Sequence, residues 1–164
     1  MRWALLFIVT FVAQRLLGLP GLPAWGTGLL LPAVWLVAVA TGTERPSPLF
    51  VGLGVGAVWD IVMEPVLGPG AIAWSATAVL LAWTASWVAD RSPRMWAALG
   101  ALAAASVHLV RWLALLPLGE AAPVRWSWLA VSMTLTGLWC GIVGWSLTLD
   151  LTARWARYRR QRLH

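Results

Sequence analysis

Lysine is absent from this chain, cysteine occurs once, histidine twice, and charged side chains make up only 11% of its 164 residues. The lone cysteine, Cys140, sits inside an apolar stretch, which excludes an intramolecular disulfide and a thiolate metal cluster. His164 is the last residue, so one histidine, His108, is left in the body of the chain. Neither an H-E-x-x-H zinc motif nor a G-x-S-x-G nucleophile elbow is present, and no glycine loop leads into a phosphate-binding lysine. An intramembrane aspartyl protease needs two facing aspartates, whereas Asp60 is the only one deep in an apolar segment. The expectation is a protein without enzymatic activity, cofactor or metal.

What the chain does have is apolar surface: 60% of its residues are hydrophobic, against roughly 45–50% in soluble domains. Six membrane-crossing helices of about 20 residues would use roughly 120 positions and leave short loops. The sequence therefore predicts an all-α membrane protein, residues 1–164 forming a single compact bundle of six transmembrane helices. The expected spans are 3–19, 24–40, 49–64, 71–89, 95–118 and 125–151, followed by a basic tail over 152–164. The first is retained as a helix and not read as a cleaved signal, because Gln14 and Arg15 follow its apolar run and no A-x-A-like site intervenes. Pro20 and Pro23 break it, and Pro32 predicts a kink in the second.

Orientation follows from arginine, which supplies all twelve basic residues. Six spans place Arg2, Arg45, Arg91, Arg94 and the tail residues Arg154, Arg157, Arg159, Arg160 and Arg162 on one side. Arg15 and Arg125 lie on the other, and Arg111 lies within a span. An excess of nine to two predicts both termini in the cytoplasm. These arginines flank apolar segments and form no interleaved basic and aromatic face, so the partner they suit is the lipid bilayer and not nucleic acid. Of fourteen tryptophans, Trp3, Trp25, Trp74, Trp87, Trp96, Trp126, Trp128 and Trp155 fall near expected span ends, where an indole serves as a headgroup-level anchor.

Two sets of residues stand out. Gly52 and Gly56 in the third span, with Gly54 widening the groove between them, and Gly137 and Gly141 in the sixth, followed by Gly144, give small-xxx-small spacings. Such spacings let another helix approach, either within the bundle or from a partner. The third helix is expected to stay partly open to a partner. Gln14, Arg15, Asp60, Glu64, His108 and Arg111 form the second set, a polar cluster in the outer halves of their spans. An unpaired charge at the centre of a span costs about 2.5–3.5 kcal/mol on insertion scales. Asp60 is therefore expected to pair with Arg111 or Arg15. The cluster either locks the bundle or holds a small molecule, ion or proton.

The run Gly52-Leu-Gly-Val-Gly56-Ala-Val-Trp59-Asp60-Ile61, then Val66-Leu67-Gly68 and a long apolar helix, resembles the signature of the rod shape-determining protein MreD family. Gln14 near the end of the first helix, with prolines beyond, is also similar. The likeness covers the whole chain in layout and residues 45 to 90 in motif, with Asp60 and Gly68 as motif positions. The chain departs from the pattern at Met63-Glu64-Pro65 and at Gly26-Thr27-Gly28. The resemblance implies a multi-pass, non-enzymatic scaffold subunit of the elongation machinery in the inner (plasma) membrane. It would bind MreC, and through it RodA, a class B penicillin-binding transpeptidase and MreB, in peptidoglycan synthesis and cell-shape control. The layout is also similar to the substrate-binding subunits of energy-coupling-factor (ECF) vitamin transporters. Those use an A-x-x-x-A pattern on the first helix that Trp3 to Leu19 lacks. A small channel or transporter is a third reading.

Overall fold

A computed structural model of the chain describes residues 2–19, 24–42, 47–64, 67–88 and 92–148, and among these the protein consists of helices and their connections, without a strand. The expectations placed on Arg45, Arg91, Trp155, the tail arginines and the end of the last span lie outside the described residues, as do the side chains of Arg2, Trp3 and Trp25. Six α-helices follow one another: α1 (Arg2–Leu17), α2 (Ala33–Thr41), α3 (Pro48–Met63), α4 (Pro69–Trp87), α5 (Pro93–Leu115) and α6 (Trp126–Thr148). Short 3₁₀ turns occupy Ala24–Gly28 and Leu116–Leu118.

Proline and glycine set the boundaries. Pro48, Pro69 and Pro93 open α3, α4 and α5, where the missing amide is no loss and the fixed φ suits the first turn. The Ser92 side chain caps α5 by accepting from the Met95 amide. Gly119, in the left-handed region at φ 71°, stops the continuation of α5.

The second expected span differs most from its prediction. Pro32 does not kink a continuous helix; it ends one segment and precedes another, since α2 starts only at Ala33. Its ring collides with the carbonyl four residues back and it donates no bond. The residues before it therefore need partners from elsewhere, which other helices supply. The Leu31 amide donates to Gln14 Oε1 at 2.8 Å and the Leu30 amide to Thr136 Oγ1 at 3.0 Å. Ser132 Oγ donates to the Gly28 carbonyl at 2.6 Å, and the Trp139 indole to the Leu31 carbonyl at 3.3 Å. Irregular backbone survives in an apolar protein where it is enclosed and satisfied in this way.

Short as it is, α2 is central. Its Leu36, Val37 and Ala40 join Trp74, Ala78 and Leu81 of α4 and Leu99, Ala103 and Val107 of α5 in one core. Thr77 and Ser106 add a hydroxyl pair at 2.9 Å between α4 and α5. Consecutive helices α3 to α6 pack as neighbours, and α1 lies at the edge with Phe7 against Phe11 and Trp35.

Pro93–Leu118 and Trp126–Leu147 are long and apolar enough to cross a membrane, at mean hydropathy 1.7 and 1.4, and most of their apolar residues are not buried within the protein. The outward faces elsewhere are apolar too, including Ile8, Phe50, Ile61, Ile72 and Trp83. The tryptophan expectation needs correction at two positions: Trp74 is fully enclosed and Trp96 is 92% enclosed, so both fill the core instead of marking a boundary. Trp87 and Trp126, at helix ends, are exposed.

Candidate functional site

Asp60 lies in the last turn of α3 and is 1% exposed. Its carboxylate accepts three backbone amides from the start of α4: Gly70 on Oδ1 at 2.8 Å, and Gly68 and Ala71 on Oδ2 at 2.8 and 3.0 Å. The first amides of a helix have no acceptor within it and carry its positive end, so a carboxylate there is both hydrogen-bonded and charge-matched. The residue types around it follow from this closeness. A side chain at Gly70 would collide with the Asp60 carboxylate itself. Gly68 holds φ 118°, a conformation that side chains rarely adopt. Gly52 and Gly56 bring α3 down onto the backbone of α4 at Trp74, Ser75, Gly70 and Ala71.

The ion pair expected for Asp60 is therefore replaced by a cradle of amides. Arg111 pairs instead with Glu64, Nη2 to Oε2 at 2.6 Å, and Trp59 Nε1 donates to the other Glu64 oxygen at 3.3 Å. Arg15 stands apart, exposed on α1 beside an apolar cavity of about 390 Å³ lined by Phe7, Phe11, Val58 and Val62. Gln14 holds the break before α2, and His108 Nε2 meets Ser132 Oγ at 2.9 Å. The six polar residues thus form no single cluster: Asp60 sits in an interhelical cradle, Glu64 and Arg111 form an ion pair, Gln14 and, through Ser132, His108 serve the break before α2, and Arg15 stands apart.

Comparison of the chain with family models, characterised proteins and solved structures gives no match.

The expected opening of the third helix also changes. Gly52 and Gly56 are covered by α4, while a Cβ at Gly54 would meet nothing within 4 Å beyond its own helix among the described residues. On α6, Gly137 and Gly141 face Ala97 and Ala101 of α5, and Gly144 faces Trp96. Sequence reasoning missed Ser132 and Thr136, whose signal was available: two hydroxyls four apart on one face of a mostly apolar helix. It also missed a second cavity, of about 310 Å³, between the end of α5, the 116–125 connection and the start of α6, with His108, Arg111, Glu120 and Arg125 in its wall.

The Glu64–Arg111 pair is partly screened, its side chains 16% and 35% exposed. Removing either partner leaves a part-buried charge uncompensated, whereas removing both does not. Arg111→Met and Glu64→Met are each expected to lose about 1–3 kcal/mol of stability, and the double variant less than the sum. Unfolding of the four proteins in a detergent titration measures this coupling; strict additivity would show the pair to be energetically idle.

Proposed function

We propose that the chain is a six-span subunit of the MreD kind, with both termini in the cytoplasm. In this reading it is a non-enzymatic scaffold of the bacterial elongation machinery, seated in the inner membrane and binding MreC. RodA, a class B penicillin-binding transpeptidase and MreB join the same complex, which serves peptidoglycan synthesis and cell shape. One observation carries the reading. The residues that resemble the family, the glycines of α3, Asp60 and the Leu67-Gly68 turn, form a single unit in which the carboxylate is fully occupied by backbone amides. A carboxylate so engaged is suited to fixing a rigid hairpin, which is what an assembly platform needs.

With Gly52 and Gly56 covered, MreC is assigned to the opposite face of α3, where Gly54 lies among exposed Phe50, Leu53 and Ile61. Small residues on an apolar helix allow close approach of another helix. Gly54→Leu is expected to abolish co-purification with MreC from mild detergent while leaving expression intact, because a Cβ at this position meets nothing within 4 Å beyond its own helix among the described residues. Undiminished recovery of MreC would move the interface elsewhere, and failure of the unaltered protein to recover MreC would remove the scaffold reading. The cavity of about 310 Å³ favours a second reading, a substrate-binding subunit of an ECF-type transporter; recovery of an ATPase module in place of MreC would support it.

A further inference from the structure

We infer that the cavity between α5 and α6 binds a zwitterionic headgroup, a phosphate carried beside an ammonium, as presented by an aminophospholipid or a soluble phosphoamine. The cavity holds about 310 Å³, within the range of sites for small ligands. Its wall combines opposite charges with aromatic rings. Arg125 and Glu120 both line it, and among the described residues neither has an ion-pair partner. Arg111 lines it as well; its Nη2 is engaged by Glu64, but its Nε is buried without an acceptor.

Each simpler occupant leaves one of these groups unanswered. An anion alone would meet the Glu120 carboxylate. A cation alone would meet Arg111 and Arg125. A purely apolar molecule would answer neither the Arg125 guanidinium nor the Glu120 carboxylate. A zwitterion answers all three, its phosphate toward the guanidinium groups and its ammonium toward Glu120.

The remaining wall fits the same chemistry. Trp112 and Trp128 line the cavity, where an aromatic ring can attract an ammonium, and Trp112 is held in place by its indole N–H donating to the Ala122 carbonyl at 3.0 Å. Ser132 donates its one proton to the Gly28 carbonyl, so His108 Nε2 is the donor toward Ser132 and Nδ1 is the ring nitrogen left for other contacts. Leu109, Leu115 and Leu129 complete the lining with an apolar side along which alkyl chain would run.

The test uses the full chain, purified in mild detergent and stripped of lipid. Native mass spectrometry reads retention of phosphatidylethanolamine against phosphatidylglycerol of the same acyl composition, and intrinsic tryptophan fluorescence reads binding of soluble phosphoethanolamine. Phosphatidylethanolamine is expected to be retained about tenfold better than phosphatidylglycerol, the equivalent of one charge-assisted contact. Arg125→Ala and Glu120→Ala, both at exposed positions, should each lower retention about tenfold. Size-exclusion profiles would verify that both variants keep the fold. Binding of phosphoethanolamine without lipid retention would assign the same site to a soluble source. Equal retention of the two lipids with no phosphoethanolamine binding would overturn the inference, and so would retention that survives either substitution.

Discussion

Asp60→Ala is expected to destabilise the protein by about 3–5 kcal/mol, the largest loss of any single polar substitution in this chain. Three amides at the start of α4 would lose their acceptor together, in a place 1% exposed and closed to water. Asp60→Asn should recover little. A carboxamide offers one acceptor oxygen, which could serve Gly70, but its amino group would then face the Gly68 and Ala71 donors. The decisive comparison is the charge-swapped double variant, Asp60→Arg with Arg111→Asp. An ion pair between these residues would make the double variant more stable than either single one. The cradle requires the opposite, because arginine at 60 has no acceptor for the amides and aspartate at 111 faces Glu64. Detergent-titrated unfolding of the three variants separates the two arrangements, and recovery in the double variant would overturn the cradle.

Much of the helical layout was legible because proline and glycine punctuate the sequence where helices begin and end. Pro48, Pro69 and Pro93 lie within a residue or two of the expected boundaries, and each opens a helix. Asp60 and Glu64 were legible as residues too polar for an apolar helix to leave bare. Their partners were not. Spacing along a helix shows which side chains share a face, but the acceptor for an arginine on α5 depends on how far α3 extends and where it ends. Asp60, in the last turn, meets the backbone of the next helix; Glu64, four residues on and just past the helix end, reaches Arg111. Backbone amides carry no residue signature, so a carboxylate that binds only amides looks unpaired in sequence. The break at 29–32 was half legible. Pro32 announced a disturbance, yet the rescue by Gln14, Ser132, Thr136 and Trp139 spans up to 108 residues of chain, as the Leu31 carbonyl to Trp139 contact shows. Trp74 and Trp96 were misread for a related reason: proximity to a span end favours an interfacial ring, but both rings are enclosed by neighbouring helices that the local sequence does not reveal.

The second large effect is expected at Gly56, and it tests whether the glycines and the carboxylate act as one device. A methyl at position 56 would lie 2.5 Å from Ala71 Cα, 2.7 Å from the Gly70 carbonyl and 2.9 Å from the Ala71 amide. At Gly52 it would lie 2.6 Å from the Trp74 carbonyl and 2.7 Å from Ser75 Cα. These are backbone atoms, which cannot swing aside as a side chain does, so the two helices must separate. Overpacking of this kind costs about 1–3 kcal/mol, and Gly56→Ala is expected near the upper end. The displaced residues, Gly70 and Ala71, are also the ones whose amides bind Asp60. Moving them lengthens those hydrogen bonds, so the losses from Gly56→Ala and Asp60→Ala should overlap, the double variant losing clearly less than the sum. Gly54→Ala supplies the control within the same helix. Its Cβ meets nothing within 4 Å, and removing glycine flexibility from a helix interior gains about 0.5–1 kcal/mol. Unfolding midpoints that rank Gly54→Ala at or above the unaltered protein and Gly56→Ala well below it are the expected result. Equal midpoints for the two would mean that α3 and α4 yield freely, and a rigid hairpin could not then be the reason for the Gly52, Gly56 and Asp60 pattern.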